Sequence, residues 1–175
     1  MKKLFALMIA TLLLQACAGK GLIVMGDIPM TPKAYWQAVE KRGDLNKYEL
    51  KKPFHVVEKN LHKVVKECYH YDRVVSELKS GDFQYRETFT GKVTKLNKKE
   101  LLFTFQNKGK EGTSVYGDKS KIPKDGMWLY VIHFKPGANG KTIALAGHPW
   151  GWGSKIEGLL DATQFGFKKC PVSTF

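Results

Sequence analysis

The spacing of apolar side chains between Phe54 and Cys68 constrains the fold more than any other feature of this sequence. The stripe consists of Phe54, Val57, Leu61, Val64, Val65 and Cys68. Separations of three and four residues are those of one face of an α-helix, and Pro53 suits the position just before the first turn. We therefore predict an amphipathic helix whose apolar face needs a second layer to cover it.

From Phe83 onward the apolar period changes to two. The alternating apolar residues are Phe83, Tyr85, Phe89 and Val93. Alternation with polar residues is typical of an antiparallel strand that has one solvated face. The four predicted strands cover residues 83–94, 101–106, 127–134 and 142–148. In the third strand we expect one shared face for Trp128, Tyr130, Ile132 and Phe134.

Two more helices are predicted, one before the long helix and one after the last strand. Residues 31–43 carry helix-end signals: Thr31 as N-cap, Pro32 in the first turn and Gly43 as the stop. Residues 154–165 form the last helix, which begins with a capping box of Ser154 and Glu157. Residues 44–52 show no period and are interpreted as a linker, whereas 107–126 form a long polar connection.

This order of elements predicts an α+β fold with two layers. We expect a four-stranded antiparallel sheet with the helices packed on one face. The predicted organisation is a leader at 1–16, a tether with a short helix at 17–52, and a globular domain at 53–175.

The N-terminus has the pattern of an export signal. Lys2 and Lys3 precede eleven apolar residues, Leu4 to Leu14. This run is shorter than the ~20 residues needed to span a bilayer and matches the apolar core of a secretory signal peptide. No later apolar run approaches its length.

The residues after this run, Leu14-Gln15-Ala16-Cys17, resemble the lipobox of bacterial lipoproteins. The resemblance covers residues 1–17, and no family is recognised for the rest of the chain. It implies cleavage between Ala16 and Cys17 and acylation of Cys17, with no aspartate following to retain the protein at the inner membrane. The expected location is the bacterial outer membrane, facing the periplasm. The alternative is a plain secreted protein in which Cys17 forms a disulfide.

If Cys17 carries lipid, Cys68 and Cys170 remain. An even pair of cysteines in an oxidising periplasm predicts a disulfide. Two free thiols or a metal pair are the alternatives, and the lack of a CxxC motif disfavours metal.

The chain is strongly basic, with a formal net charge of +13 that loses two charges with the leader. Such a surplus favours anionic partners: lipid headgroups, lipopolysaccharide phosphates or an acidic protein face. We expect no nucleic acid partner for an exported protein. Nine lysines are expected near one hairpin and one long basic loop: Lys92, Lys95, Lys98, Lys99, Lys108, Lys110, Lys119, Lys121 and Lys124. They could contact lipopolysaccharide or anionic lipid, or they could form a solvated, self-repelling loop.

Residues that suggest chemistry are few. His55, Glu58 and His62 share a side of the long helix, but the two histidines are ~10 Å apart, too far to hold one metal ion easily. His133 and His148 are candidate bases, with Ser154, Asp161 and Cys170 as conceivable partners, but no hydrolase motif accompanies them. We expect no cofactor and no metal.

The stretch around Trp150 and Trp152 offers a candidate ligand site. Two tryptophans among glycines, beside a helix start, suit a stacked sugar or a bound phosphate. The alternative, which we favour, is that both rings plug the open edge of the core.

The function predicted from these features is that of a lipid-anchored binding or scaffolding component of the cell envelope. Contact with a partner would use the tether with residues 31–42, the basic loop or the polar face of the sheet. The first alternative is a carrier with an apolar cavity between helix and sheet. The second is a small envelope hydrolase.

Overall fold

The computed structural model describes residues 31–43, 45–77, 83–109, 123–147 and 153–171. These residues form three α-helices and six β-strands. In chain order they are α1 (Pro32–Arg42), β1 (Asn46–Leu50), α2 (Phe54–Cys68), β2 (His70–Glu77), β3 (Phe83–Asn97), β4 (Glu100–Lys108), β5 (Met127–Pro136), β6 (Thr142–Gly147) and α3 (Gly153–Phe165).

The strands form one antiparallel sheet in the order β1-β6-β5-β4-β3-β2. The fold is α+β, but the prediction of a four-stranded sheet was wrong, because the sheet has six strands. The segment interpreted as a linker forms the edge strand β1, and β2 follows α2 after a single residue. Since α2 begins after one edge strand and ends before the other, it is the connection between the two edges of the sheet.

Two helices cover one face of the sheet. The apolar stripe of α2 is buried as predicted, with Val57, Leu61 and Val64 fully enclosed. Helix α3 contributes Ile156 and Leu159 beside it. The sheet side of this core consists of Leu101, Phe103, Phe105, Tyr130, Ile132, Phe134, Ala144 and Ala146. Each large apolar side chain buried here contributes about 1.5–3 kcal/mol to folding.

The third helix, α1, packs on the opposite face of the sheet. Tyr35, Trp36 and Val39 form a second core there. The sheet side of this second core includes Leu102, Trp128 and Val131. The helices therefore do not share one face, as the two-layer prediction required. The sheet is the middle layer of three.

A β-bulge in β5 explains why one predicted face was wrong. Phe105 pairs with Tyr130 and Gln106 pairs with Trp128, so Leu129 has no partner on β4. The extra residue reverses the side on which the preceding side chain points. Trp128 therefore lies under α1, stacked on Tyr35 with ring centroids 5.0 Å apart, instead of beside Tyr130.

The predicted ends of α1 and the start of α2 are confirmed. Thr31 Oγ1 accepts a hydrogen bond from the Ala34 N–H at 3.2 Å, and Gly43 closes α1 with a left-handed φ of 74°. Pro53 caps α2 with an extended backbone. These signals act within one or two turns of the helix, which is why the sequence shows them.

Candidate functional site

The outward face of α2 carries a cationic stripe. His55, Lys59, His62 and Lys66 stand at i, i+4, i+7 and i+11, and all four are exposed. At 3.6 residues per turn their positions fall within ~60° of arc. The stripe contains no acidic residue.

The carboxylate nearest to this stripe is already engaged. Glu58 Oε1 accepts a hydrogen bond from Lys95 Nζ of β3 at 3.1 Å. Because Glu58 turns toward the sheet, its charge is compensated there and leaves the outward stripe positive.

The C-terminal tail, which we define as residues 166–171, lies along the second half of α2 because a disulfide holds it there. Cys68, on the buried stripe, is bonded to Cys170 across a sequence separation of 102 residues. This confirms the predicted pairing. Phe167 of the tail lies beneath Lys63 of α2, and the Lys63 Nζ is 5.6 Å from the centroid of the Phe167 ring.

Tail and helix together form one surface. We define the basic helical face as His55, Lys59, His62, Lys63 and Lys66 of α2 with Lys168 and Lys169 of the tail, all of them exposed. One exposed carboxylate, Glu67, lies on α2, and two more, Glu157 and Asp161, are exposed on the neighbouring α3. The five lysines outnumber them, so the face attracts anions.

A groove of about 320 Å³ opens beside this face. Its walls include Asp161, Ala162, Phe165, Phe167, Lys169 and Pro171. Phe165 is 67% exposed, although it is a large apolar side chain. The groove therefore combines aromatic and aliphatic walls with charged groups at its margin.

This groove is not the cavity that the carrier alternative requires. It lies between α3 and the tail, outside the layer where helices meet the sheet. The described side chains in that layer are closely packed, and Leu61, Phe103 and Ile132 are fully buried. The carrier alternative thus has no support in the part of the chain that the structure describes.

The candidate base His133 is enclosed beneath α1. Its ring centroid is 4.9 Å from that of Trp36, and its Nε2 is 3.6 Å from Glu100 Oε2, longer than a hydrogen bond. Burial lowers the pKa of His133, assisted by Lys135, and outweighs the opposing effect of Glu100. His133 is therefore a neutral, packed side chain at pH 7.

The conceivable partners of His133 lie elsewhere. Ser154 and Asp161 are on α3, which packs on the other face of the sheet. Cys170 is held in the disulfide. The sheet thus separates His133 from all three, and they cannot form a catalytic set with it.

The groups whose pKa values are strongly raised are tyrosines in or beside the core. Burial raises the pKa of Tyr71 to about 12 and that of Tyr130 well above its ordinary value. Both belong to the aromatic core with Phe105, whose ring centroid is 5.3 Å from that of Tyr130. We assign them to packing.

Five of the predicted site residues lie outside the described residues: Ala16, Cys17, His148, Trp150 and Trp152. Within the described ranges no cluster of three His, Cys, Asp or Glu side chains could hold a metal ion.

The described lysines of the predicted hairpin and loop lie at separate places on the sheet. Lys98 and Lys99 occupy the β3–β4 turn, and Lys108 ends β4. At ~3.3 Å per residue the strand separates Lys99 from Lys108 by roughly 30 Å. Lys95 points toward α2 and is paired. Lys110, Lys119 and Lys121 lie outside the described part of the chain.

Sequence reasoning missed the basic helical face, although half of its signal was present. The histidines and lysines of α2 stand at i, i+4, i+7 and i+11, so their helical spacing could have been read from the sequence together with the apolar stripe. The contribution of Lys168 and Lys169 depends on the tail's position, which only the folded structure gives.

None of the described helices is long and apolar enough to cross a bilayer. Comparison with models of known protein families, with curated proteins and with solved structures finds no match.

Proposed function

We propose that this protein is a lipid-anchored binding component of the bacterial cell envelope. Acyl chains on Cys17 would hold it in the outer membrane, with the folded domain in the periplasm. The lipobox resemblance of residues 14–17 supports the anchor. At ~0.8 kcal/mol per buried methylene, two or three acyl chains hold a protein firmly.

The observation that carries this proposal is the disulfide between Cys68 and Cys170. Structural disulfides form and persist in oxidising compartments such as the periplasm. The bond also leaves Cys17 as the one cysteine outside the pair, as a lipid-modified residue would be. Export, formation of the Cys68–Cys170 disulfide and acylation of Cys17 are therefore mutually consistent.

Binding is favoured over catalysis by what the described surface offers. The basic helical face presents repeated cations in water, which suits the recognition of several anionic groups at once. General acid–base chemistry needs paired groups within hydrogen-bond reach of a substrate. His133, the described candidate, is enclosed between Trp36 and Glu100.

Metabolic labelling with palmitate tests the anchor. The wild-type protein should incorporate label and fractionate with outer membranes, and Cys17→Ser should abolish both, because the acylated sulfur is gone. The control variant, Cys68→Ser with Cys170→Ser, removes the two disulfide-bonded cysteines but should remain labelled, because Cys17 is intact. Equal labelling of wild type and Cys17→Ser would contradict the proposal.

A further inference from the structure

We propose that the basic helical face docks on the anionic phospholipid surface of the membrane leaflet that holds the anchor. The partner is a bilayer surface rich in phosphodiester headgroups. This inference deepens the proposed function and rests on it for the location of the domain. It assigns a binding surface to residues distant from Cys17 in the sequence.

The first argument is charge complementarity. Lys59 and Lys66 lie in line along α2, with Lys63 at the edge of the stripe beside the tail lysines. A row of exposed ammonium groups on one helix can approach a plane of phosphates together. Each lysine close to an anionic leaflet contributes a factor of roughly five to membrane partitioning.

The second argument is the apolar component of the same surface. Phe165 is 67% exposed at the end of α3, and Phe167 lines the groove together with Lys169. Exposed aromatic rings flanked by lysines suit the boundary between headgroups and acyl chains, where the rings enter and the ammonium groups stay in water. A purely solvated charged face gives no reason for an exposed Phe165.

The third argument is preorganisation. The Cys68–Cys170 bond fixes the tail against α2, so Lys168 and Lys169 are held near Lys63 before any ligand binds. A loose tail would lose conformational entropy on docking, and a fixed one loses less. The disulfide therefore has a consequence for binding as well as for stability.

The length of the N-terminal segment permits this orientation. Helix α1 begins at Pro32 on the opposite side of the sheet from α2, and fourteen residues lie between Cys17 and Pro32. Fourteen residues reach at most about 48 Å when extended. The path around the sheet edge is about 34 Å: ~14 Å for half the width of six strands and ~20 Å for the sheet with one helix layer. The extended segment is longer than this path. The chain can thus pass around the domain and leave the helical face toward the membrane.

Vesicle binding by the mature chain tests the surface without the anchor. Residues 17–175 carrying Cys17→Ser are mixed with vesicles of phosphatidylcholine alone or of equal parts phosphatidylcholine and phosphatidylglycerol. Cosedimentation should occur with the phosphatidylglycerol vesicles only. Raising the salt should release the protein, since exposed charges are screened within ~3 Å at 1 M.

Matched charge variants locate the surface. Lys59→Gln, Lys63→Gln and Lys66→Gln together should weaken binding by about a hundredfold, and glutamine preserves helix propensity. The control variant, Lys98→Gln, Lys99→Gln and Lys108→Gln, removes the same charge elsewhere and should weaken binding by less than about fivefold, the effect of one lysine near the surface. Circular dichroism and an intact disulfide establish that each variant is folded.

Two results would overturn the inference. The first is that the protein with all its lysines binds both kinds of vesicle equally. The second is that the two triple variants lose the same amount of vesicle affinity. The second result would show attraction by net charge alone, without a docking face. Palmitate labelling is independent of both, so failure of the anchor and failure of the surface are distinguishable.

Discussion

His133 shows how burial decides the protonation of a single side chain. It faces Glu100 and Lys135 from the sheet and Glu40 from α1. Burial nevertheless has the largest effect and lowers its pKa. In the unfolded chain a histidine has an ordinary pKa of about 6.5. Below that pH the unfolded state binds more protons than the folded state, so stability falls with falling pH.

The corresponding prediction concerns His133→Gln. Wild-type stability should decline as the pH falls below about 6.5, and the variant should lose this part of the decline because glutamine does not titrate there. Urea unfolding of both proteins at several pH values measures the difference. His62→Gln, at an exposed position on α2, is the control. Parallel pH profiles for wild type and His133→Gln would contradict the account.

At the residue scale, the sequence predicted best the features that depend on a few adjacent residues. Thr31 and Gly43 end α1 as predicted because caps depend on a few adjacent residues. Trp128 was placed on the wrong face because its direction depends on a bulge opposite Phe105. A bulge is a property of the pairing of two strands, which one strand's alternation does not show.

At the scale of elements, the packing of α1 on the sheet is a feature that the sequence did not reveal. It was expected in a tether, but Trp36 is only 4% exposed and packs over His133. Among the described residues, α1 and the sheet thus share a buried core. Residues 31–42 are consequently less available for partner contact than we expected.

Truncation of Trp36 tests this role of α1. Trp36→Ala should lower the free energy of unfolding by about 3–5 kcal/mol, the usual cost of removing a buried aromatic side chain. Denaturant titration measures it, with Gln37→Ala at an exposed neighbouring position as control. A change no larger than that of the control would mean that α1 does not stabilise the domain.

The disulfide is the second prediction at this scale. Replacing Cys68 and Cys170 by serine should cost about 4–5 kcal/mol, because a closed loop of some hundred residues restricts the unfolded chain. Reversible urea unfolding compares this variant with Cys17→Ser, whose stability should be unchanged. Non-reducing peptide mapping supplies the direct check: alkylation of both cysteines in the native protein would refute the bond.

Edge strands explain why the sequence revealed four strands of six. The central strands β4 and β5 bury long runs of side chains, and their pattern is strong. In β1 only Leu50 is fully buried, and the exposed Glu49 pairs with Lys141 of the neighbouring hairpin loop. An edge strand with a polar face carries little alternation, so its pairing is decided by the rest of the sheet.

At the scale of the whole molecule, the described residues form a sheet with an apolar core on each side and different outer surfaces. One side is closed by α1, and the other presents α2, α3 and the tail as a basic layer. Net charge predicted an anionic partner but not which surface meets it. That assignment needed the disulfide and the position of Phe167 beside Lys63.

The central claim is that this domain is held in the envelope by lipid on Cys17. Intact-mass spectrometry of the native protein, extracted from membranes with detergent, tests it most directly. The account predicts a chain that begins at Cys17, carries the added mass of a diacylglycerol and an amide-linked acyl chain, and is two hydrogens lighter for one disulfide. A chain that begins at Met1, or one without mass beyond its polypeptide, would contradict it.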